Sequence, residues 1–251
     1  MLRQATLDKM HGMRLTAMAA EFESQLASPR LAELSFEERV GMMVDAEWTA
    51  RESRKLRRRL QTAKLRYAAS IEDIDFRVQR GLDREVMMSL ATCEWIREHH
   101  GVVIQGPTGI GKSYLACALV ERACRSGFSG QYLRTPRLLH DLAVARGDGS
   151  YGRLLGKLAK AKVDLLALDD WLLNPLKDSE RRDLLEVIEE RYQRVSTLIA
   201  TQLPTASWHE AIGDETLADA ICDRLVHNAY QLDLSGPSMR KRQAAKKRKK
   251  A

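Results

Sequence analysis

The amino-acid sequence has no uninterrupted apolar run near the ~20 residues that a bilayer-crossing helix needs. Its first residues, Met1 to Asp8, carry no apolar core of the kind found in a secretory signal. A cytoplasmic protein with no membrane partner is the expectation. Cysteine is scarce: Cys93, Cys117, Cys124 and Cys222 are the only four. None lie two or three residues apart, which removes zinc-ribbon and CxxC redox chemistry and leaves reduced structural thiols. The six histidines, including the neighbours His99 and His100, show no metal-ligand spacing. There is no internal repeat, and no low-complexity stretch before the last dozen residues. What is present is a chain of 251 residues, 44 % hydrophobic and 30 % charged. That composition supports a sizeable packed core and excludes global disorder; the length fits one large domain, or a small one joined to a medium one.

Charge is unevenly placed along the chain, whose formal net charge is +7. Residues 240–251 hold eight Lys/Arg and no acid, and residues 1–66 hold thirteen Lys/Arg against nine Asp/Glu, so the stretch between them is acidic. Basic ends on an acidic middle suit an anionic polymer, because each phosphate neutralised releases condensed counterions. A solubilising tail and a solvated helix face would use the same residues without any nucleic acid.

Residues 1–66 read as helical throughout. Leu15, Met18, Phe22 and Leu26 recur at helical spacing, Pro29 interrupts, and Ser35-Phe-Glu-Glu38 has the form of a capping box that starts a long helix running to about Tyr67. Leu56, Leu60, Ala63 and Tyr67 make its apolar stripe. Its opposite face carries Arg54, Lys55, Arg57, Arg58 and Arg59, candidates for contact with a DNA backbone. Residues 70–82 read as a linker. Beyond them, helical patterns alternate with short apolar runs at 102–105, 131–133, 163–168 and 197–200, which predicts an α/β domain with a parallel sheet flanked by helices. The expected domains are a small all-α N-terminal domain over 1–69 for DNA or partner binding, an α/β domain over 70–239, and a basic disordered tail over 240–251.

The strongest signal is Gly106-Pro107-Thr108-Gly109-Ile110-Gly111-Lys112-Ser113, which fits the phosphate-loop pattern G-x-x-x-x-G-K-[ST] at every fixed position. An apolar run precedes it and a helical pattern beginning with Ser113 and Tyr114 follows it, the strand–loop–helix context that the chemistry needs. Glycines let the backbone curl so that successive N–H groups face one anion, and the helix N-terminus adds partial positive charge. Lys112 is then expected to bridge the β- and γ-phosphates of ATP, and Ser113 to ligate Mg²⁺. The run at 163–168 ends in Asp169 and Asp170, the form of a Walker B strand: Asp169 for the Mg²⁺ shell, Asp170 to orient or deprotonate the attacking water. A helix cap is the plainer use of such a pair. Trp171 suits core packing or a place beside the nucleotide. Thr201 or Gln202, at the end of the run at 197–200, would sense the γ-phosphate. Arg224 and Arg240 offer planar guanidinium groups for transition-state charge.

In their order along the chain these motifs resemble the AAA+ P-loop ATPases of the DnaC/IstB branch. The N-terminal wording, Leu34-Ser-Phe-Glu-Glu-Arg-Val, Val44-Asp-Ala-Glu-Trp-Thr, Ala63-Lys-Leu-Arg-Tyr and Ile71-Glu-Asp-Ile-Asp-Phe, is similar to the IstB-like helper ATPases that bacterial insertion sequences encode beside their transposase. The resemblance spans about residues 1–243. It implies an AAA+ core, ring or helical homo-oligomers, ATP-dependent binding and bending of double-stranded DNA, and recruitment of the partner transposase. It also implies that Arg224 is an arginine finger acting on a neighbour's nucleotide and that Arg240 is the sensor-II arginine. A helical element before the Walker B strand faces nucleic acid in initiator-type relatives; here that region carries Arg146, Arg153, Lys157, Lys160 and Lys162, with Arg153 and Lys157 as the DNA candidates. One departure stands out: relatives continue with Gly after Asp-Asp-Trp, and this chain has Leu172, which puts the geometry of that turn in question. The alternative with the same fold is a DnaC-like replicative helicase loader. A small-molecule P-loop kinase would need a lid and an acceptor pocket and leaves the basic ends unexplained; a nucleotide-gated scaffold would show negligible hydrolysis.

Overall fold

In the computed structural model, residues 2–159 and 163–240 are described. The basic tail beyond Arg240, and Lys160 and Lys162, lie outside them. The chain forms two compact units, Met1–Arg58 and Arg59–Ala251.

The first unit holds helices α1 (Leu2–Gly12) and α2 (Thr16–Ala27), a 3₁₀ turn (Pro29–Glu33), and most of α3 (Phe36–Ala63). The expected capping box starts α3: Ser35 Oγ accepts from the Glu38 N–H at 3.2 Å, and the Glu38 carboxylate accepts from the Ser35 N–H at 2.8 Å. The start of α2 has no side-chain cap of its own. Glu47, on α3, supplies one from a distance, accepting from the N–H groups of Ala17 at 2.9 Å and Met18 at 3.3 Å. Two orphan donors of α2 are thereby satisfied by the neighbouring helix. The N-terminal apolar stripe is less buried than its spacing suggests: Leu15 precedes α2, because Arg14 takes a left-handed φ of 60°, and Leu26 is exposed. Helix α3 ends at Ala63, not near Tyr67. Lys64 turns left-handed there (φ 51°), so Tyr67 leaves the helical stripe.

In the second unit, α4 (Arg84–Ala91) and α5 (Glu94–Arg97) lead into β1 (Gly101–Gln105), followed by α6 (Lys112–Arg125), β2 (Gly130–Arg134), α7 (Thr135–Gly147), α8 (Tyr151–Leu158), β3 (Leu165–Trp171), α9 (Asp178–Arg191), β4 (Ser196–Thr201), α10 (Trp208–Ile212), α11 (Glu215–Val226) and β5 (Ala229–Asp233). All neighbouring strands are parallel, in the order β2-β3-β4-β1-β5. The strand β5 was not marked by the sequence pattern, because Tyr230 and Gln231 are exposed and its apolar run is short. Strands β1 and β3 are apolar and buried on both sides, as a sheet covered on two faces requires. Val103, Leu166, Leu168 and Ile199 face a core closed by α7, α9 and α11, and α6 packs across β2, β3 and β4 from the other face. Trp171 belongs to the first of these cores, with its ring 5.7 Å from that of Trp208.

The registry places Gln105, Thr201, Asp169 and Asp233 at one edge, the carboxyl end of the sheet. There β3 is irregular: Leu168 pairs with Ile199 but Trp171 pairs with Thr201, so β3 carries one extra residue. Within this bulge Asp170 takes a left-handed φ of 55°, and Leu172 follows with 51°. The turn at which the resemblance leads one to expect glycine is therefore made in left-handed geometry by a leucine.

Residues 59–69, which the sequence reading assigned to the N-terminal domain, belong to this second unit. The linker over 70–82 has no helix or strand, yet Ile71, Ile74, Val78 and Arg80 in it are buried. No helix among the described residues is long and apolar enough to cross a membrane.

Candidate nucleotide site

Between β1 and α6 the backbone of Gly106, Gly109 and Gly111 has φ of 147°, 83° and 112°. At each of these the need for glycine is also steric. A Cβ on Gly106 would lie 2.4 Å from the Leu234 carbonyl oxygen, and one on Gly109 would lie 2.4 Å from Ser238 Oγ. The loop is thus pressed between the sheet and a C-terminal segment that runs across it. That segment is tied by Leu234 N–H to Gln105 O (2.8 Å), Ser235 N–H to Arg80 O (2.9 Å) and Met239 N–H to Gly109 O (2.8 Å).

A cavity of about 480 Å³ opens beside the loop. Thr108, Gly109, Gly111, Lys112, Ser113 and Tyr114 line it from the loop, Asp169 and Asp170 from β3, Gln202 from the end of β4, and Arg240 from the C-terminal segment. Lys112 Nζ donates to the carbonyls of Gly106 (2.7 Å) and Pro107 (3.1 Å). Burial pulls its ammonium down from the ordinary value, and the nearby Asp169 and Asp170 work against that. Asp169 is 1 % exposed, and its carboxylate accepts from the Tyr132 hydroxyl. Asp170 is ion-paired with Arg134 Nε at 2.6 Å.

Of the two γ-phosphate candidates on β4, only Gln202 reaches the cavity, where its Oε1 accepts from Thr108 Oγ1. Thr201 is buried, and its hydroxyl donates to the Trp171 carbonyl (3.1 Å) while accepting from the Leu203 N–H (3.1 Å). It tethers the bulge of β3 to β4 and does not line the cavity. Arg240 lies close enough to Lys112 to disfavour its charge. Arg224 is elsewhere. It donates to Ala220 O (2.8 Å) and Glu189 Oε1 (2.7 Å), in a cleft shared with Gly101 and Thr197 at the opposite, amino end of the sheet.

The remaining walls come from residues the sequence reading missed. Tyr67, Ala68, Asp73, Ile74, Asp75 and Arg80, all around the supposed linker, line the same cavity. Arg80 is 4 % exposed and donates from Nη1 to the Ile110 carbonyl at 3.0 Å, while its Nε finds no partner among the described residues. A Cβ on Gly111 would meet that guanidinium at 2.6 Å. Burial lowers the pKa of Arg80 from its ordinary value, with Asp75 opposing. The stripe through Tyr67 and the run Ile71-Glu-Asp-Ile-Asp-Phe mark several of these residues, but nothing in the sequence places them at the loop, because they belong to an irregular segment folded against it.

A nucleotide and its metal fit this arrangement. Gly111, the N-cap of α6, offers no side chain, so the first N–H groups of α6 call for an external acceptor, and Lys112 adds a positive charge at the same place. The Ser113 hydroxyl and the Asp169 carboxylate are hard oxygen donors of the type Mg²⁺ prefers alongside phosphate oxygens.

The basic residues proposed for DNA are placed on helix surfaces. Arg57 and Arg58 are exposed on α3 and Arg59 is half-buried, while Arg153 and Lys157 are exposed on α8. Lys55 pairs with Glu52 (2.7 Å), an exposed pair of a kind that contributes little and exchanges readily for a phosphate, whereas Arg54 pairs with the buried Glu47 (3.2 Å). Arg146 is committed internally: it donates to Asp183 at 2.7 Å and stacks on the Tyr151 ring at 3.8 Å, joining α7, α8 and α9.

The family described as IstB-like ATP binding protein matches residues 8–247. The chain is 51 % identical over 246 residues to an insertion sequence ATP-binding protein (y4pL) of Sinorhizobium fredii (strain NBRC 101917 / NGR234), covering 98 % of this chain and 100 % of the relative. It is 31 % identical over 234 residues to the protein named for ATP binding in insertion sequence IS21 of Pseudomonas aeruginosa, covering 93 % and 88 %. Among solved structures it is similar to DnaI (TM-score 0.57, 20 % identity, 71 % of this chain and 94 % of that one). It is also similar to the DnaC helicase loader (TM-score 0.54, 18 % identity, 69 % and 100 %) and to AMPPCP-bound DnaA from Aquifex aeolicus (TM-score 0.57, 17 % identity, 74 % and 56 %). These likenesses establish the AAA+ fold.

Proposed function

This chain belongs to the family of IstB-like ATP binding proteins, and from that premise we propose that it is the ATP-driven DNA-remodelling partner of an insertion-sequence transposase. It is an AAA+ ATPase. What carries the reading of its site is the convergence on one cavity of the phosphate loop, the carboxylates Asp169 and Asp170, Gln202 and Arg240. In this reading the loop N–H groups and Lys112 hold the phosphates of ATP, and Ser113 and Asp169 hold Mg²⁺. Bound there, Mg²⁺ neutralises charge on the phosphate oxygens. Asp170 accepts the proton of the attacking water, Gln202 orients that water, and Arg240 stabilises the charge that develops.

Arg224 completes the site of a neighbouring copy. Its position at the sheet edge opposite its own phosphate loop supports this, since it reaches a nucleotide only across an interface. The protein therefore works as a ring or helical homo-oligomer, in the cytoplasm, on double-stranded DNA. The basic surface of α3 and the exposed Arg153 and Lys157 on α8 supply phosphate contacts, with the N-terminal region serving DNA or the partner transposase. ATP turnover measured with and without duplex DNA tests the reading: stimulation by DNA supports it, and turnover indifferent to DNA at low salt rejects the remodelling role. Capture of the transposase encoded beside it, set against capture of a replicative helicase, separates this assignment from helicase loading.

A further inference from the structure

Asp169, the carboxylate proposed above for the Mg²⁺ shell, does not stand alone. It is 1 % exposed, and the hydroxyl of Tyr132, itself 5 % exposed, donates to its Oδ2. Tyr132 belongs to β2 and Asp169 to β3; in the parallel ladder Arg134, two residues on, is the residue paired with Asp169, so the phenol comes from the same face of the adjoining strand. The guanidinium of Arg66 lies close to the same phenol and to Asp169.

The proton directions in this chain follow from the groups themselves. Guanidinium is donor-only and an ionised carboxylate is acceptor-only. The single phenolic proton therefore goes to Asp169. The carboxylate is thereby locked in one orientation, with Oδ2 engaged by the phenol.

We infer that Tyr132 is a positioning residue for the metal shell: its hydroxyl sets the orientation of Asp169 toward Mg²⁺. This rests on the nucleotide reading given above. Residues that orient a metal ligand change metal affinity by about ten- to a hundred-fold when removed.

Tyr132→Phe is a clean probe, because it deletes one oxygen and keeps the buried ring. The measurement is Mn²⁺ binding, followed by electron paramagnetic resonance, to the full chain saturated with a non-hydrolysable ATP analogue. Affinity for the analogue in excess chelator is measured beside it. Tyr132→Phe is expected to weaken Mn²⁺ at least about ten-fold and to alter its spectrum, while metal-free binding of the analogue stays at the wild-type level. Unchanged Mn²⁺ affinity in Tyr132→Phe overturns the inference while leaving the nucleotide site intact. If the wild-type protein itself gains no Mn²⁺ site with the analogue, the nucleotide reading falls instead, and this inference with it.

Discussion

Lys112 and Asp170 line one cavity but are proposed for different steps, so their substitutions should part company. Lys112→Ala removes the cation that faces the phosphates. It should abolish tight ATP binding, with a loss on the order of the 1.5–3 kcal/mol of a charge-assisted hydrogen bond or more; titration with a fluorescent ATP analogue reads this directly, and unchanged affinity rejects the phosphate-loop role. Asp170→Asn keeps Lys112, Ser113 and Asp169, and should bind ATP normally while turnover drops by about 10²–10⁴, the usual contribution of a general base. Normal hydrolysis in that variant contradicts the assignment. Leu172 poses a different question. A left-handed φ costs a non-glycine residue about 1–2 kcal/mol, so glycine would relieve strain. Yet Leu172 is 4 % exposed and part of the main core, and truncating a buried leucine costs about 2–5 kcal/mol. The packing loss is the larger of the two. Leu172→Gly should therefore destabilise the protein by roughly 1–3 kcal/mol in denaturant unfolding, and a stabilised variant would show that strain dominates.

Helix α2 has its N-terminal donors satisfied by Glu47 of α3, and that carboxylate is held down to about 2 from an ordinary 4.5, chiefly by its hydrogen bond to Arg51 and also by the N–H groups of Met18 and Ala17. A carboxylate with a lowered folded-state pKa contributes stability that is fully present above the unfolded value and is lost as pH falls through the folded one. The α2–α3 pairing should thus weaken between about pH 4.5 and pH 2, seen as loss of helical circular dichroism under mild denaturant. Glu47→Gln should flatten the response in that window; an unaltered acid profile would remove Glu47 from the account. Further along α3, Arg57, Arg58 and Arg59 are proposed to meet phosphates. Each such contact contributes about 0.9 to the slope of log K against log salt. Replacing all three with alanine should lower the magnitude of that slope by up to roughly three units in a duplex-binding assay, and an unchanged slope returns this surface to simple solvation.

The proposed role of Arg224 makes assembly the whole-molecule property to test. Lys112 and Asp170 line the cavity at the carboxyl end of the sheet, and Arg224 lies at the amino end. If the finger acts in trans, Lys112→Ala and Arg224→Ala proteins should each be nearly inactive. In an equal, random mixture about one quarter of interfaces should join an intact loop to an intact finger, and partial ATPase activity should reappear. Sedimentation must first establish that the two variants co-assemble. Co-assembled mixtures as inactive as the separate proteins would reject the trans role of Arg224.

The phosphate loop, the Asp169-Asp170 pair and the cap at Ser35 were legible along the chain because each is a contiguous signal: a turn, a strand end or a helix start whose residues touch near neighbours. The α/β alternation was legible for the same reason, since buried parallel strands are short apolar runs. β5 escaped, being half-exposed. What residue order alone could not contain is the set of contacts between segments far apart in sequence. Arg80, on an irregular stretch that reads as a linker, becomes a wall of the cavity only by folding onto Ile110. Tyr132 reaches Asp169 only because β2 lies beside β3. The choice between Thr201 and Gln202 was open in one dimension, where adjacent residues look equivalent. In three dimensions successive side chains of a strand point to opposite faces, and the bulge in β3 draws the Thr201 hydroxyl inward to Trp171 and leaves Gln202 at the cavity.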